Sequence, residues 1–382
     1  MEKVIIALFK GEKLKKENSL NLIRLFLALV VVYAHSATLG GYVINTTLFG
    51  KGIGSWAVFI FFGISGYLIT ASAFSNDITT YFSKRIVRIF PAYLVIQFIT
   101  AFIFAPVVYL IENGTLNHLF TSSKTPIGYF IGNSMLRVKT YNITGTLTHN
   151  DFPSAWNGST WTLWNEFICY ILIAIVVSLI IKKKKVHIMT MFFGWIVLSY
   201  LSGHLKGAMV IFGNGIVNVK DFIPLAAVFM AGALLYTLRK YLVFNVLGAI
   251  ISVIISALLI VLVPDSGYQF AAPFIMFIIF VIANKLPSPR WIMKNNLSYG
   301  VYLISFPIQQ LIDFSLIRTH ADIPFSVFFL LSSVISISLA YCSWSLVEAP
   351  SLEKLRKPTI HQVELSPKHI SKRQYRRRAI HS

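Results

Sequence analysis

Acidic side chains are scarce in this chain of 382 residues: 14 Asp and Glu stand against 34 Lys and Arg, a formal net charge of +20. Charged residues of both signs make up only 13% of the sequence and apolar ones 56%, with a mean hydropathy of +0.70. Soluble domains need more polar surface than this, so the chain reads as a polytopic membrane protein. Cysteine is nearly absent. Its two copies, Cys169 and Cys342, fall in apolar stretches far apart. That placement offers neither a disulfide framework nor a metal-ligand spacing, and no metal is expected. No small-residue cleavage pattern of the A-x-A kind follows His35, so the basic N-terminus reads as leading into a retained first transmembrane helix. No internal repeat is found.

What is present is a series of apolar runs. Stretches near 20–36, 56–74, 90–111, 161–181, 187–203, 222–237, 243–263, 270–284, 298–316 and 324–346 suggest an all-α bundle of about ten transmembrane helices. The basic residues orient it. With the N-terminus inside, the inner side receives Lys10, Lys13, Lys15 and Lys16, then Lys84, Arg85 and Arg88, the run 182–185, Arg239, Lys240, Lys285, Arg290, Lys294 and the tail. The outer side receives only Lys51, Lys124, Arg137, Lys139, Lys206, Lys220 and Arg318. This asymmetry predicts N-in and C-in, so the positive charge is a topology signal and nucleic acid is not an expected partner.

Three regions follow from that topology. Residues 1–18 form a basic cytoplasmic N-terminus, 19–350 a transmembrane domain with a long outer loop over about 112–160, and 351–382 a basic tail. The tail, ending SKRQYRRRAIHS, reads as disordered and held near anionic headgroups. The outer loop holds His118, His149 and Asp151, and runs into WNGSTWTLWNEF, where Trp156, Trp161 and Trp164 crowd the mouth of the fourth helix. Tryptophan anchors helices at membrane interfaces and also makes platforms for sugar rings, so these residues suit either anchoring or acceptor binding. Four Asn-x-Ser/Thr triplets, at Asn45, Asn113, Asn142 and Asn157, fall outside and matter only in a secretory-pathway protein.

The candidate chemistry begins in the first helix, LNLIRLFLALVVVYAHS, which carries Arg24 and His35. Their separation climbs roughly 16 Å along the axis, about half of a ~30 Å hydrocarbon core. With Arg24 anchored at one face, His35 sits inside the membrane, where ionisable groups are functional candidates. Among the few carboxylates, Glu166 and Asp313 lie inside expected spans. Glu166 needs a partner, and His35, at a similar expected depth, is the obvious one. A carboxylate there would orient the imidazole and raise its basicity, whereas without that contact His35 is a lone interfacial histidine beside Tyr33. In YFSKRIVRIFPAYL, Arg85 and Arg88 are three apart and share a helix face. They suit either a phosphate-bearing ligand or positive-inside anchoring. In VFIFFGISGYLI, Gly63, Ser65 and Gly66 permit close helix approach.

Taken together, these stretches resemble the acyltransferase family 3 of integral membrane acyltransferases, which includes bacterial O-acetylases of surface polysaccharides, lipopolysaccharide and peptidoglycan. The match spans about residues 18–350. It rests on the Arg24…His35 helix, FFGISGYLI at 61–69, KRIVRIFPAY at 84–93, STWTLWNEFICY at 159–170, NLSYGVYLISFPI at 296–308 and SWSLVEAPSLEKL at 343–355. Where many members have a histidine in the ninth-helix segment, this chain has Ser305.

The resemblance implies transfer of an acyl group, usually acetyl, from cytoplasmic acyl-CoA to a hydroxyl of an extracytoplasmic glycan. Acyl-CoA would be a co-substrate, with no permanently bound cofactor. It casts His35 as catalytic, Arg24 as its motif companion on the donor side, Arg85 and Arg88 as donor-binding, and Glu166 as the acidic residue of the fourth-helix motif. The expected partners are the lipid bilayer, acyl-CoA and a glycan acceptor, in a bacterial plasma membrane. Ser65 and Tyr299 are candidates to stabilise an oxyanion. The competing reading is a non-enzymatic polysaccharide exporter on the same bundle, since fold does not settle function.

Overall fold

The computed structural model describes residues 13–15, 17–180, 186–204, 209–212 and 215–356. Lys10, Lys16, the run 182–185, Lys206 and the tail beyond 356 lie outside the described residues. Each of the ten apolar segments coincides with a helix. These are α1 (Leu20–Leu39), α2 (Ile53–Ser75), α3 (Ile78–Ile99), α6 (Trp161–Ile180), α7 (Val186–His204), α8 (Val219–Leu238), α9 (Val246–Leu262), α10 (Gly267–Lys285), α12 (Ser298–Thr319) and α13 (Phe325–Ser343). Shorter helices are α4 (Ala105–Asn113), α5 (Pro126–Asn133), α11 (Arg290–Lys294) and α14 (Ala349–Arg356). Among the described residues, eight helical runs are long and apolar enough to cross a membrane, and α9 is a shorter apolar helix. A helix satisfies its own backbone polar groups, which is why apolar runs of this length take that form in lipid.

Two helices differ from the expectation. The third starts at Ile78, twelve residues before the apolar run that announced it, because Asp77 caps it by accepting a hydrogen bond from the Thr80 N–H at 3.0 Å. Lys84, Arg85 and Arg88 hide this first half from a hydropathy scan. A π-helical turn at Thr100–Phe104 then joins α3 to α4, and the continuous run reaches Asn113. The last span likewise passes through a π-helical turn, Trp344–Glu348, into α14. Glu348, expected beyond the span, is buried within it.

The interior is built on close helix pairs. Where α2 crosses α8, a Cβ on Gly66 would lie 2.0 Å from the Phe229 carbonyl oxygen, and one on Gly232 would lie 2.0 Å from that of Gly63. Only glycine fits at either position, as the small-residue pattern at 63–66 anticipates. The α1 helix packs against α2, α12 and α13. At one end of the bundle, the Lys15 N–H donates to Asn284 Oδ1 at 3.0 Å and Asn21 Nδ2 to the Met293 carbonyl at 2.9 Å. These contacts gather the basic segments around Lys15, Lys285 and Lys294.

At the opposite end, residues 114–160 fold over a small core of their own, with Leu119, Tyr129, Ile143, Leu147 and Trp156 packed on Ala101, Ala105 and Val108. Buried amides strap this segment to α12. Asn150 Nδ2 donates to Gln310 Oε1 at 2.8 Å, Gln310 Nε2 to the Phe152 and Ala155 carbonyls at 2.8 and 2.7 Å, and Asn157 Nδ2 to the Leu303 carbonyl at 2.9 Å. Asp313, buried on α12, accepts from the Asp151 N–H at 3.0 Å. Sheet is confined among the described residues to two hairpins, β1 (Thr47–Leu48) with β2 (Lys51–Gly52) and β3 (Met209–Phe212) with β4 (Gly215–Asn218).

Candidate active site

Two cavities lie along one face of α1. Arg24 and His35 are eleven residues apart, which at 3.6 residues per turn is about 20° more than three full turns, so both project the same way. His35 lines a cavity of ≈ 420 Å³ walled by α1, α2, the β1–β2 hairpin, the start of α6, the start of α8 and Tyr302 of α12. Arg24 lines a cavity of ≈ 50 Å³ together with Phe61, Ser65, Glu166, Tyr299 and Tyr302. Val58, Thr162 and Tyr302 belong to both linings.

Thr162 and Tyr302 therefore form the partition. The Tyr302 hydroxyl donates to the Ser159 carbonyl at 2.6 Å and lies 2.6 Å from Thr162 Oγ1. With its proton on the carbonyl, the tyrosine oxygen accepts from the threonine. Two buried hydroxyls thus satisfy each other across the boundary between the cavities.

In the larger cavity the His35 ring meets the Phe306 ring edge-on, with centroids 5.3 Å apart, and its Nδ1 is buried with no hydrogen-bond partner. The turn that carries it is held from α12: Gln309 Nε2 donates to both the Val32 carbonyl and Ser36 Oγ at 2.8 Å. The turn is thus fixed from α12, and the buried Nδ1 makes no hydrogen bond of its own. Lys51 reaches the same cavity from the hairpin, its ammonium 4.9 Å from the Tyr268 ring centre and 5.5 Å from that of Phe59. Burial pushes Lys51 below the usual lysine range.

The smaller cavity is closed around its own polar groups. Glu166 Oε1 accepts from Ser65 Oγ and from the Tyr170 hydroxyl, each at 2.6 Å. Arg24 stacks on Phe61 at 5.9 Å and lies within electrostatic reach of Glu166, Tyr170, Arg85 and Arg88. Arg88 is ion-paired with Glu348 at 2.9 Å and sits between the rings of Tyr299 and Trp344, 5.6 and 5.4 Å from their centres. With the Asn296 amide turned so that its nitrogen donates to Ser298, its oxygen accepts from Arg88 at 3.1 Å and from Arg24 at 3.2 Å. The Nε atoms of Arg24 and Arg85 are buried without partners.

The structure thus brings Arg24, Arg85, Arg88 and Glu166 into one charged cluster and puts His35 in the adjoining chamber. It does not pair Glu166 with His35. On α6, Trp161 and Thr162 line the larger cavity, whereas Glu166, a turn beyond Thr162, lines only the Arg24 cavity and is satisfied by Ser65 and Tyr170. Ser65 spends its proton on Glu166, and Tyr299 donates to the Ile89 carbonyl at 2.8 Å, so neither hydroxyl has a proton free for an oxyanion in this arrangement. Of the three tryptophans, Trp161 lines the His35 cavity. Trp156 is enclosed in the core of the 114–160 segment, where its indole donates to Thr146 Oγ1 at 2.8 Å, and Trp164 packs into the main core. Ser305 is wholly buried and its hydroxyl has no partner.

Sequence reasoning alone misses Glu348, Asn296, Tyr170 and Tyr302. The signal for Glu348 is a carboxylate just beyond an apolar run's apparent end. Tyr170 and Tyr302 sit among apolar neighbours and Asn296 in a short polar link, all inside the segments that carry the family resemblance.

Comparison with known proteins agrees in kind. A family model described as an acyltransferase domain matches residues 17–344. The chain is 30% identical over 341 residues to a protein of Shigella phage Sf6 named O-acetyl transferase, covering 87% of this chain and 95% of the relative. It is 26% identical over 374 residues to nodulation protein 10 of Rhizobium leguminosarum bv. viciae, covering 89% and 94%. No solved structure matches.

Proposed function

The chain belongs to the acyltransferase family 3 of integral membrane acyltransferases and is a multi-pass membrane O-acyltransferase; from that premise we propose that it moves an acetyl group from cytoplasmic acetyl-CoA to a hydroxyl of a glycan across a bacterial plasma membrane. The observation that carries this reading is the pair of cavities on one face of α1. The Arg24 cavity adjoins the end where the basic segments gather, which suits a phosphate-rich donor arriving from the cytoplasm. Arg85, with a buried unpartnered Nε, and Arg24 are the groups to receive it. The His35 cavity adjoins the hairpin and the 114–160 segment, which suits a saccharide from the other side.

Transfer takes place where the cavities meet. His35 accepts the proton of the acceptor hydroxyl as its oxygen bonds to the thioester carbonyl carbon. The C–S bond breaks, and the proton passes from His35 to the departing CoA sulfur. The thioester reaches His35 past Thr162 and Tyr302, so that contact has to open in the working enzyme.

The test is acylation of the surface glycan, read by NMR of the purified polysaccharide, with the intact protein and His35→Ala at equal expression. The expected result is loss of acetyl signals at unchanged glycan yield. A fall in yield with acylation per sugar unaltered would overturn this reading in favour of an exporter.

A further inference from the structure

The hairpin that closes the His35 cavity is built to hold one cation in place. Leu48 pairs with Lys51 across a two-residue turn, Phe49–Gly50, whose φ values of 50° and 72° both fall in the left-handed region. That is the geometry of the tight hairpin turn matching the twist of the flanking strands, and Gly50 supplies it at no steric cost. Two rings anchor the turn: the Trp56 indole donates to the Leu48 carbonyl at 2.9 Å, and the Tyr268 hydroxyl donates to the Phe49 carbonyl. Lys51 is thereby held with its ammonium against the faces of Tyr268 and Phe59, in the cavity wall.

No carboxylate answers it among the described residues. The other charged groups in the same lining are Lys220 and Asp221, neighbours in the chain and opposite in sign, at the first turn of α8. Burial is what acts on the Lys51 ammonium. A partly desolvated cation with aromatic faces behind it and no ion-pair partner of its own attracts a negative group strongly. Trp161, half out of the same wall, offers a face on which a sugar ring can lie.

We propose that the acceptor entering the His35 cavity is an anionic saccharide, whose carboxylate or phosphate docks on the Lys51 ammonium. This rests on the reading of that cavity as the acceptor site, and it adds the acceptor's charge. Placing the charge on Lys51 fixes one end of the sugar and leaves its hydroxyls to face His35.

The test is binding, so it does not depend on turnover. The full-length protein in lipid nanodiscs is titrated with methyl glucuronide, glucose 1-phosphate and neutral methyl glucoside, following tryptophan fluorescence, with Trp161→Phe locating the signal. At least one charged probe should bind about tenfold more tightly than the glucoside, and added salt should erode that advantage. Which charged probe leads tells a sugar-borne carboxylate from a phosphate. Lys51→Gln should bring all three probes to one affinity, and Lys51→Arg should restore the preference. Equal affinity for charged and neutral probes in the wild type, or a preference that survives in Lys51→Gln, overturns the proposal. The salt series on the wild type decides between these outcomes even where a Lys51 variant fails to fold. If the acyl-transfer reading itself fails, His35→Ala cells keep an acetylated glycan whatever these titrations show.

Discussion

The two cavities on α1 share a wall and differ in almost everything else. The one around His35 measures ≈ 420 Å³, and the one around Arg24 measures ≈ 50 Å³. In the first, two ionisable groups lack partners: His35 Nδ1 has no hydrogen bond, and Lys51 makes no ion pair among the described residues. In and beside the second, Glu166 is bonded by two hydroxyls, Arg88 by Glu348 and Asn296, and Arg24 by Asn296, while the Nε atoms of Arg24 and Arg85 are buried without partners. A charge cluster in a low-dielectric interior holds together only when nearly every member is paired, and pairing draws the walls in. The smaller chamber is thus closed by the very residues that would grip a donor, and the larger stands open because its groups have nothing to close on.

The comparison breaks most sharply at His35. Its replacement by Ala should lower acyl transfer by about 10²–10⁴-fold, the range for loss of a positioned general base, with the thermal unfolding temperature little changed. Full activity in that variant would remove the open chamber from the chemistry. Glu348→Ala tests the closed one. It strands a buried guanidinium, since Arg88 and Glu348 have side chains only 18% and 2% exposed, and should cost about 3–5 kcal/mol in detergent-solubilised unfolding. Stability within error of wild type would mean that the ion pair does not hold the chamber shut.

Tyr302→Phe addresses the wall itself. It removes a hydroxyl that bonds both Ser159 and Thr162, a change worth about 1–2 kcal/mol. It should also admit water to the thioester, seen as several-fold faster acetyl-CoA hydrolysis with no acceptor present. Unaltered hydrolysis would show that the partition lies elsewhere. The smallest effect is expected at Asp77, outside both cavities. Its hydrogen bond from Thr80 holds its carboxyl below the usual range, so the cap contributes above the unfolded pKa and is lost as pH falls through the lower folded value. Asp77→Ala should speed amide exchange at Thr80 at neutral pH and leave the two proteins alike in acid.

How much of this is legible in the sequence varies with the kind of interaction. Apolar length announces every spanning helix, because in lipid a helix is what such a run can form. The start of α3 is hidden because Lys84, Arg85 and Arg88 lower the local hydropathy, although Asp77 marks the cap in the sequence. Arg24 and His35 are legible because spacing on a single helix fixes their relation. The partner of Glu166 is not, since it depends on how α2, α6 and α1 dock. One turn along α6 separates Thr162, which lines both cavities, from Glu166, which lines only the Arg24 cavity. Trp156 shows the same limit: its position near Trp161 in the chain says nothing about the fold of 114–160 that encloses it.

The glycine crossing of α2 and α8 has a mechanical consequence. Backbone meets backbone at Gly66 and Gly232 with no side chain between to act as a bearing, so neither helix can slide or roll on the other without a collision. The pair behaves as a fixed beam, and Ser65, which holds Glu166, is bolted to it. Whatever travel is needed to part Tyr302 from Thr162 must come from the other side of the chamber. There, Gln309 couples α12 to the turn of α1 that bears His35. Tyr302 and His35 are thereby coupled, so in the proposed transfer a stroke that parts Tyr302 from Thr162 carries the proposed base along with it.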